Sequence, residues 1–279
     1  MKRALAVLLL LALAVPVLGY VNATADPVVR HANVGFQSWP AGAPPVRVAL
    51  LADLHIQGPD LSPERMARIA AQVNAQRPDL ILIAGDFSGD RTLRTRLYSE
   101  QEIADALKSL KAPLGVYAVL GNHDHWRNGP AMQRAVTAAG IPVLANQAVR
   151  TGPITLAGVD DIHTRNADIE ALARSAAALP GPAVVLSHSP DVAPLLPPRF
   201  GLVLAGHTHC GQIVLPLIGR IATASRYGER YACGMVREPG RTTIVSAGIG
   251  TSVLPFRFGA PPDFWMVTLG PLAPAASPR

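Results

Sequence analysis

Val46-Arg47-Val48-Ala49-Leu50-Leu51-Ala52-Asp53-Leu54-His55 is a largely apolar run that stops on two polar side chains. Rich in Val and Leu and free of glycine and proline, it reads as a strand buried on both faces. The same construction returns four times. Leu80–Ala84 runs into Gly85-Asp86, Gly115–Leu120 into Gly121-Asn122-His123-Asp124, Ala183–Leu186 into Ser187-His188, and Leu202–Ala205 into Gly206-His207-Thr208-His209. Helical segments separate these strands. Ser62 suits an N-cap and Pro63 a first helical position, and Met66, Ile69, Ala70 and Val73 then follow helical spacing. Further helices are predicted over Ser99–Leu110, near Ala131–Ala139 and near Ala167–Ala178. Further strands are predicted over Val28–Val34, near Val143, over Ile154–Gly158, over Thr243–Ala247 and over Phe264–Leu269. Apolar strands alternating with helices give an α/β protein whose sheets are covered on both faces. No internal repeat is evident.

The chain has 279 residues, 49% of them hydrophobic and 16% charged, enough to bury a large core and too apolar for a disordered chain. Its 24 glycines and 26 prolines punctuate many short elements. The formal charge is +6, to which Lys2 and Arg3 of the N-terminal leader contribute. A mild basic excess favours anionic substrates or an anionic membrane surface. No Lys/Arg run is interleaved with aromatics, so no nucleic-acid partner is expected. Cys210 and Cys233 are too few for a disulfide framework; one bridge and two free thiols stay open as alternatives.

Met1-Lys2-Arg3 precedes the uncharged run Ala4–Val21. A basic start and an apolar centre have the form of a secretory signal, and Ala23-Thr24-Ala25 offers a small-x-small cleavage site before Asp26. The run is also close to the ~20 residues that span a bilayer, so a retained anchor is the rival reading. Both put the domain that follows outside the cytoplasm, in the periplasm or cell envelope. The expected organisation is a leader or anchor over 1–25, one domain over 26–270, and a flexible tail over 271–279, as a monomer.

In an open α/β sheet, ligands bind beyond the carboxyl ends of the strands, so the five polar clusters converge on one edge. Five of the eight histidines lie in those clusters. Imidazole and carboxylate suit Zn, Mn, Fe, Co or Ni. Residues i and i+2 of an extended stretch point the same way, so Asp53 and His55 can grip one ion, and His207 and His209 can face one site. The donors exceed what one tetrahedral ion needs, which argues for two divalent ions with Asp86 as the carboxylate between them.

The series D-x-H, GD, GNH-D, a lone H and G-H-x-H resembles the calcineurin-like metallophosphoesterase family. Leu51–His55, Gly206–Gln212 and Pro255–Pro262 are similar to its exported or membrane-tethered bacterial branch related to YkuE and YaeI. The resemblance spans about Val46–Leu269. It implies a four-layer α/β/β/α sandwich of two mixed sheets flanked by helices, where alternation alone would equally fit a single doubly wound sheet. It implies one ion held by Asp53, His55, Asp86 and His209, and a second by Asp86, Asn122, His188 and His207. It implies a hydrolase of phosphodiesters, phosphomonoesters or pyrophosphates, with a hydroxide between the ions as nucleophile. His123 would protonate the leaving oxygen and Asp124 would steer it. The leader adds envelope or lipid-linked phosphates as substrates and membrane association through the N-terminus.

Each cluster alone has an ordinary alternative: a strand-end turn, a helix cap, a buried core histidine. The glycines before Asp86, Asn122 and His207 could simply make tight turns. His31, His125 and His163 are read as surface or loop residues and Asp160-Asp161 as a solvated pair. Arg226, Tyr227 and Arg257 are candidates to line the substrate pocket, with plain surface arginines as the alternative. A metallo-β-lactamase would need H-x-H-x-D-H, and His209 is followed by Cys210-Gly211-Gln212. A purple acid phosphatase would place a tyrosine where Gly89 stands. An exported binding protein on an inactive esterase scaffold is the non-enzymatic alternative.

Overall fold

A computed structural model describes residues 14–91 and 93–272. Residues 14–24 form helix α1. The strands follow as β1 (Val28–Phe36), β2 (Val46–Leu51), β3 (Leu80–Ala84), β4 (Val116–Val119), β5 (Gln147–Thr151), β6 (Ile154–Gly158), β7 (Ala183–Leu186), β8 (Phe200–Ala205), β9 (Val214–Leu215), β10 (Gly219–Arg220), β11 (Gly234–Glu238), β12 (Arg241–Val245) and β13 (Asp263–Pro271). The remaining α-helices are α2 (Pro63–Ala75), α3 (Glu100–Leu107), α4 (Asn122–Ala138) and α5 (Ile169–Ala176). Two mixed sheets result, ordered β1-β13-β2-β3-β4 and β11-β12-β8-β7-β6-β5.

Strand periodicity divides the core into layers. Val48, Leu50 and Ala52 point between the sheets, where they meet Leu156, Val184, Leu186, Leu204 and Ile244 of the second sheet. Ala49 and Leu51 point the other way, onto Met66, Ile69 and Val73 of α2, Ile103 and Leu107 of α3, and Met132 and Val136 of α4. The outer face of the second sheet, with Val185, Val203 and Ala205, packs on Leu172 and Ala176 of α5. Helices, sheet, sheet, helix is the four-layer sandwich; a single doubly wound sheet is ruled out by the shared apolar layer between the two.

Ser62 caps α2 and Ser99 closes a capping box with Glu102 at the start of α3. α4 departs from expectation. It begins at Asn122, nine residues before the predicted start, and is interrupted at Asn128. Asn128 is extended, and its Oδ1 accepts the Ala131 N–H at 3.1 Å, so it caps a second segment that starts around Pro130. The edge strand β5 carries no strong apolar pattern and was not expected from the sequence, while β11 falls in the last third of the chain, which reads as mostly strands.

The segment before β1 is bonded to the domain. The Arg257 amide donates to Gly19 O at 2.9 Å. Asn22 Nδ2 donates to Arg257 O at 3.2 Å, and Arg65 Nη2 to Ala25 O at 2.8 Å. Ala23, within the candidate cleavage site, is fully buried. Residues 1–13 of the leader and 273–279 of the tail lie outside the described residues. Among the described residues, no helix is long and apolar enough to cross a membrane.

Cys210 and Cys233 form a disulfide, which decides the alternative left open by the sequence. It closes the excursion that carries β9 and β10. The chain-entropy relation gives about 3 kcal/mol for a loop closed across a sequence separation of 23. Urea unfolding of a Cys210→Ser/Cys233→Ser double variant is expected to show a loss of that size, and reductant should then have no further effect.

Candidate metal centre

Five side chains at the strand ends adopt a backbone conformation that L-residues rarely use: Asp53, His55, Asp86, His207 and His209 have φ of 48°, 43°, 52°, 70° and 50°. Each left-handed residue costs of order 1 kcal/mol, and such strain is held where surrounding structure fixes it. The extended i, i+2 geometry expected of Asp53 and His55 is therefore corrected. Both turn sharply inward, fixed by main-chain bonds from Asp53 N to Gly85 O (3.2 Å) and from His55 N to Asp86 O (2.8 Å).

The glycines have a definite purpose there. A Cβ on Gly121 would overlap Asp86 Oδ1, and one on Gly206 would overlap Asp53 Oδ2. Neither glycine has positive φ. They are present because a carboxylate packs directly on the backbone, and turn formation is not what demands them.

Asp86 is the hub. Its Oδ1 accepts the His123 amide at 2.9 Å, at the N-terminus of α4, where free N–H groups favour an anion. That fixes the carboxylate so that Oδ2 faces His188 Nε2 at 3.2 Å, His55 Nε2 at 3.5 Å and His123 Nε2 at 4.0 Å. On one side of Asp86, His55 Nε2 and His209 Nε2 are 3.1 Å apart, and Asp53 Oδ1 lies 3.5 Å from His209 Nε2. On the other, His188 Nε2 is 3.0 Å from Asn122 Oδ1 and 3.0 Å from His207 Nδ1. The structure thus brings together all seven residues expected to surround metal: Asp53, His55, Asp86, Asn122, His188, His207 and His209. Each is buried except His207, which is partly so. Asp53 is held in turn by the His207 amide at 2.9 Å.

Burial dominates the electrostatics of this cage. Burial drives His55 down to about 3 and His207 and His209 well below the usual imidazole range, so three rings face the centre with lone pairs and no proton. Burial raises Asp53 to about 7. Burial opposes charge on both Asp86 and His188, yet their mutual attraction wins: the carboxylate falls well below its ordinary value and the imidazole rises to about 10. Lone pairs aimed at one another across 3 Å are the donor set of a divalent ion. The Nδ1 atoms of His55 and His188 face the carbonyls of Ser88 (3.2 Å) and Ala84 (2.8 Å), which leaves both Nε2 atoms free for ligation. The residues present fit a pair of divalent cations sharing Asp86.

His123 stands at the edge of the cage, partly exposed, with Nδ1 2.6 Å from Asp90 Oδ1 and the Trp126 ring edge-on at 4.9 Å between centroids. Asp124, expected to steer His123, is placed otherwise. Its buried carboxylate accepts the amides of Phe87 (3.3 Å), Ser88 (3.0 Å) and Gly121 (3.0 Å), tying the β3 and β4 loops together. The carboxylate on His123 Nδ1 is Asp90, which no motif marked.

Other expectations change as well. His163 lies on a loop, as read, and that loop stacks it on His207 at 4.1 Å between ring centroids, with its Nε2 3.1 Å from Ser189 Oγ. Asp160 pairs with His125 at 2.7 Å and Asp161 is fully buried, so neither is a solvated charge. Arg257 does not line a pocket. It is fully buried and donates to the carbonyls of Ala247 (2.7 Å), Gly250 (2.6 Å) and Ala260 (3.0 Å), with Nη2 3.4 Å from His209 Nδ1. Arg226 and Tyr227 are also outside the cleft above the cage. That cleft, of about 500 Å³, is walled largely by Trp126, Ile213, Ile221, Val253 and Leu254.

A sandwich of this architecture with such a cage at its strand ends is that of a divalent-metal-dependent hydrolase. The chain belongs to the calcineurin-like phosphoesterase family, whose model matches residues 46–211, and is accordingly a metal-dependent phosphoric ester hydrolase. It is 32% identical over 238 residues to the uncharacterized metallophosphoesterase YkuE of Bacillus subtilis, covering 82% of this chain and 81% of that protein. It is 29% identical over 272 residues to a transmembrane protein with metallophosphoesterase domain of Danio rerio, covering 91% of this chain and 60% of that longer protein. A 5'-nucleotidase precursor from Thermus thermophilus aligns over 74% of this chain and 49% of its own, with 15% identity and a TM-score of 0.47.

Metal analysis of the loaded protein is expected to give two divalent ions per chain. His209→Ala and His188→Ala should each lower that ratio toward one, and Asp86→Ala should weaken both sites.

Proposed function

We propose that the chain hydrolyses phosphoesters at a two-cation centre, with His123 as the acid that protonates the leaving oxygen. Asp53, His55, Asp86 and His209 would hold one divalent ion, and Asp86, Asn122, His188 and His207 the other. Cations bound there would supply the positive charge that acidifies water and neutralises the phosphoryl oxygens. The observation that carries the reading is Asp86 Oδ2, which faces imidazoles of both quartets from one fixed position.

His123 has the geometry for proton donation. Asp90 accepts from Nδ1, so Nε2 is the nitrogen turned toward the cage and the one from which the doubly protonated ring would give its proton. Asp90 acts through the ring, as a positioning residue. Asp124 would keep the two loops in register so that the His123 amide continues to hold Asp86. The apolar cleft wall suits an ester with a hydrocarbon portion beside the phosphate. A disulfide persists in oxidising compartments, and together with the leader it supports an exported or membrane-tethered enzyme acting on envelope or lipid-linked phosphates. No nucleic-acid substrate is proposed.

Bis-p-nitrophenyl phosphate and p-nitrophenyl phosphate, assayed against a panel of Mn, Zn, Fe, Co and Ni, test the reading. His123→Ala is expected to lower kcat by about 10²–10⁴ with both ions retained. Unchanged turnover would remove His123 as the acid. Asp90→Asn should cost less, about tenfold, and shift the limb of the kcat–pH profile that reports the acid; Asp90→Glu should restore most of the loss.

A further inference from the structure

The excursion between Cys210 and Cys233 ends in a hairpin whose tip is apolar and bare. Leu217 is 108% exposed and Ile218 71%, at the turn between β9 and β10. Ile221 follows on the cleft wall, and across the cleft mouth stand Val253, 78% exposed, and Trp126, 61% exposed. Ile221, Val253 and Trp126 line the cleft, and the hairpin bearing Leu217 and Ile218 follows directly on its wall residue Ile213, so these exposed apolar side chains mark an interaction surface.

The group continues onto α1. Phe258 bonds to the first hairpin strand through Val214 N–H at 2.8 Å, and its ring lies against Gly19, where a Cβ would overlap it. Hairpin, 253–258 loop and α1 are therefore side by side. On the outer side of α1, Val15, Val17, Leu18 and Val21 are exposed. The uninterrupted apolar run Ala4–Leu13 precedes that helix directly, with Lys2 and Arg3 before it. A chain segment of that composition, leading into an exposed apolar helix face, has hydrocarbon as its medium. Arg226, exposed on the same excursion, suits an anionic headgroup.

We propose that α1, the 214–220 hairpin tip and the Val253 loop form one lipid-facing surface that seats the mouth of the metal cleft on a bilayer. Substrates would be amphiphilic phosphoesters whose hydrocarbon part stays in the bilayer while the phosphate reaches the cage. The substrate half of this inference rests on the phosphoesterase reading above; the surface does not.

The test uses the full chain reconstituted in phosphatidylcholine/phosphatidylglycerol vesicles with brominated acyl chains. Trp39 and Trp265 are buried and Trp126 is the exposed tryptophan, so bromine quenching reports the cleft mouth. Quenching is expected in the full chain, lost in Trp126→Phe, and reduced in Leu217→Ser/Ile218→Ser. The same hairpin variant should hydrolyse a phosphatidyl p-nitrophenol ester in vesicles at least about tenfold more slowly, with bis-p-nitrophenyl phosphate turnover unchanged. An unquenched Trp126, or equal losses on both substrates, overturns the proposal. So does a concentration-dependent dimer in detergent that the hairpin variant abolishes, which assigns the surface to a second copy. Should the full chain release no nitrophenol from the soluble diester, the hydrolase reading fails, and quenching alone decides the surface.

Discussion

One carboxylate is held between two groups of imidazoles, and the rest of the site is arranged to keep it there. Asp86 lies where β3 ends, is fixed by an amide of α4, and faces rings supplied from β2, β7 and the α4 N-terminus. A buried carboxylate is costly unless matched by positive charge or hydrogen bonds. Here the chain supplies one amide and the His188 imidazole, raised to about 10 beside Asp86, while burial keeps His55, His207 and His209 neutral and open to cations. Seen this way, the left-handed residues and the missing side chains at Gly121 and Gly206 share one purpose. They let polar groups from separate strands approach more closely than ordinary backbone would permit.

The sandwich makes that approach possible. Two sheets share an apolar layer, with Leu50 and Ala52 on one side and Leu186 and Leu204 on the other, and their strand ends lie next to each other. His188 and His207 come from the second sheet and Asp53 and Asp86 from the first. The centre is therefore a seam between halves of the fold. A shift of one sheet against the other would separate the ligands before it exposed much apolar surface.

Much of this was legible in the sequence. The five apolar runs are strands because a doubly buried strand must be apolar throughout, and their polar ends are conspicuous for the same reason. The clusters that contain the seven cage residues were found in that way, and their separation from His123 and Asp124 came from resemblance. Edge strand β5 was missed, and β11 was left without bounds, because half-exposed strands alternate weakly. The start of α4 was missed because Asn122-His123-Asp124 has the composition of a loop and is helical only because Asp86 and Asp124 bind its amides and those of its cap. Asp90 and His163 carried no readable signal, and Arg257 was singled out for the pocket and not for the buried contacts it makes. Each acts through a contact across the fold, and residue type alone does not distinguish such a contact from a surface charge. Stacking of the two sheets could not be read from alternation and came only from resemblance.

The bridge between Cys210 and Cys233 begins one residue after His209 and brings the two Cα atoms to 4.6 Å. Everything between those cysteines therefore leaves and re-enters the fold at nearly one point. Added length there costs little, since closure entropy grows only with the logarithm of loop size. Closure therefore leaves that segment free to vary in length while the ionic core beneath it keeps its anchor at His209.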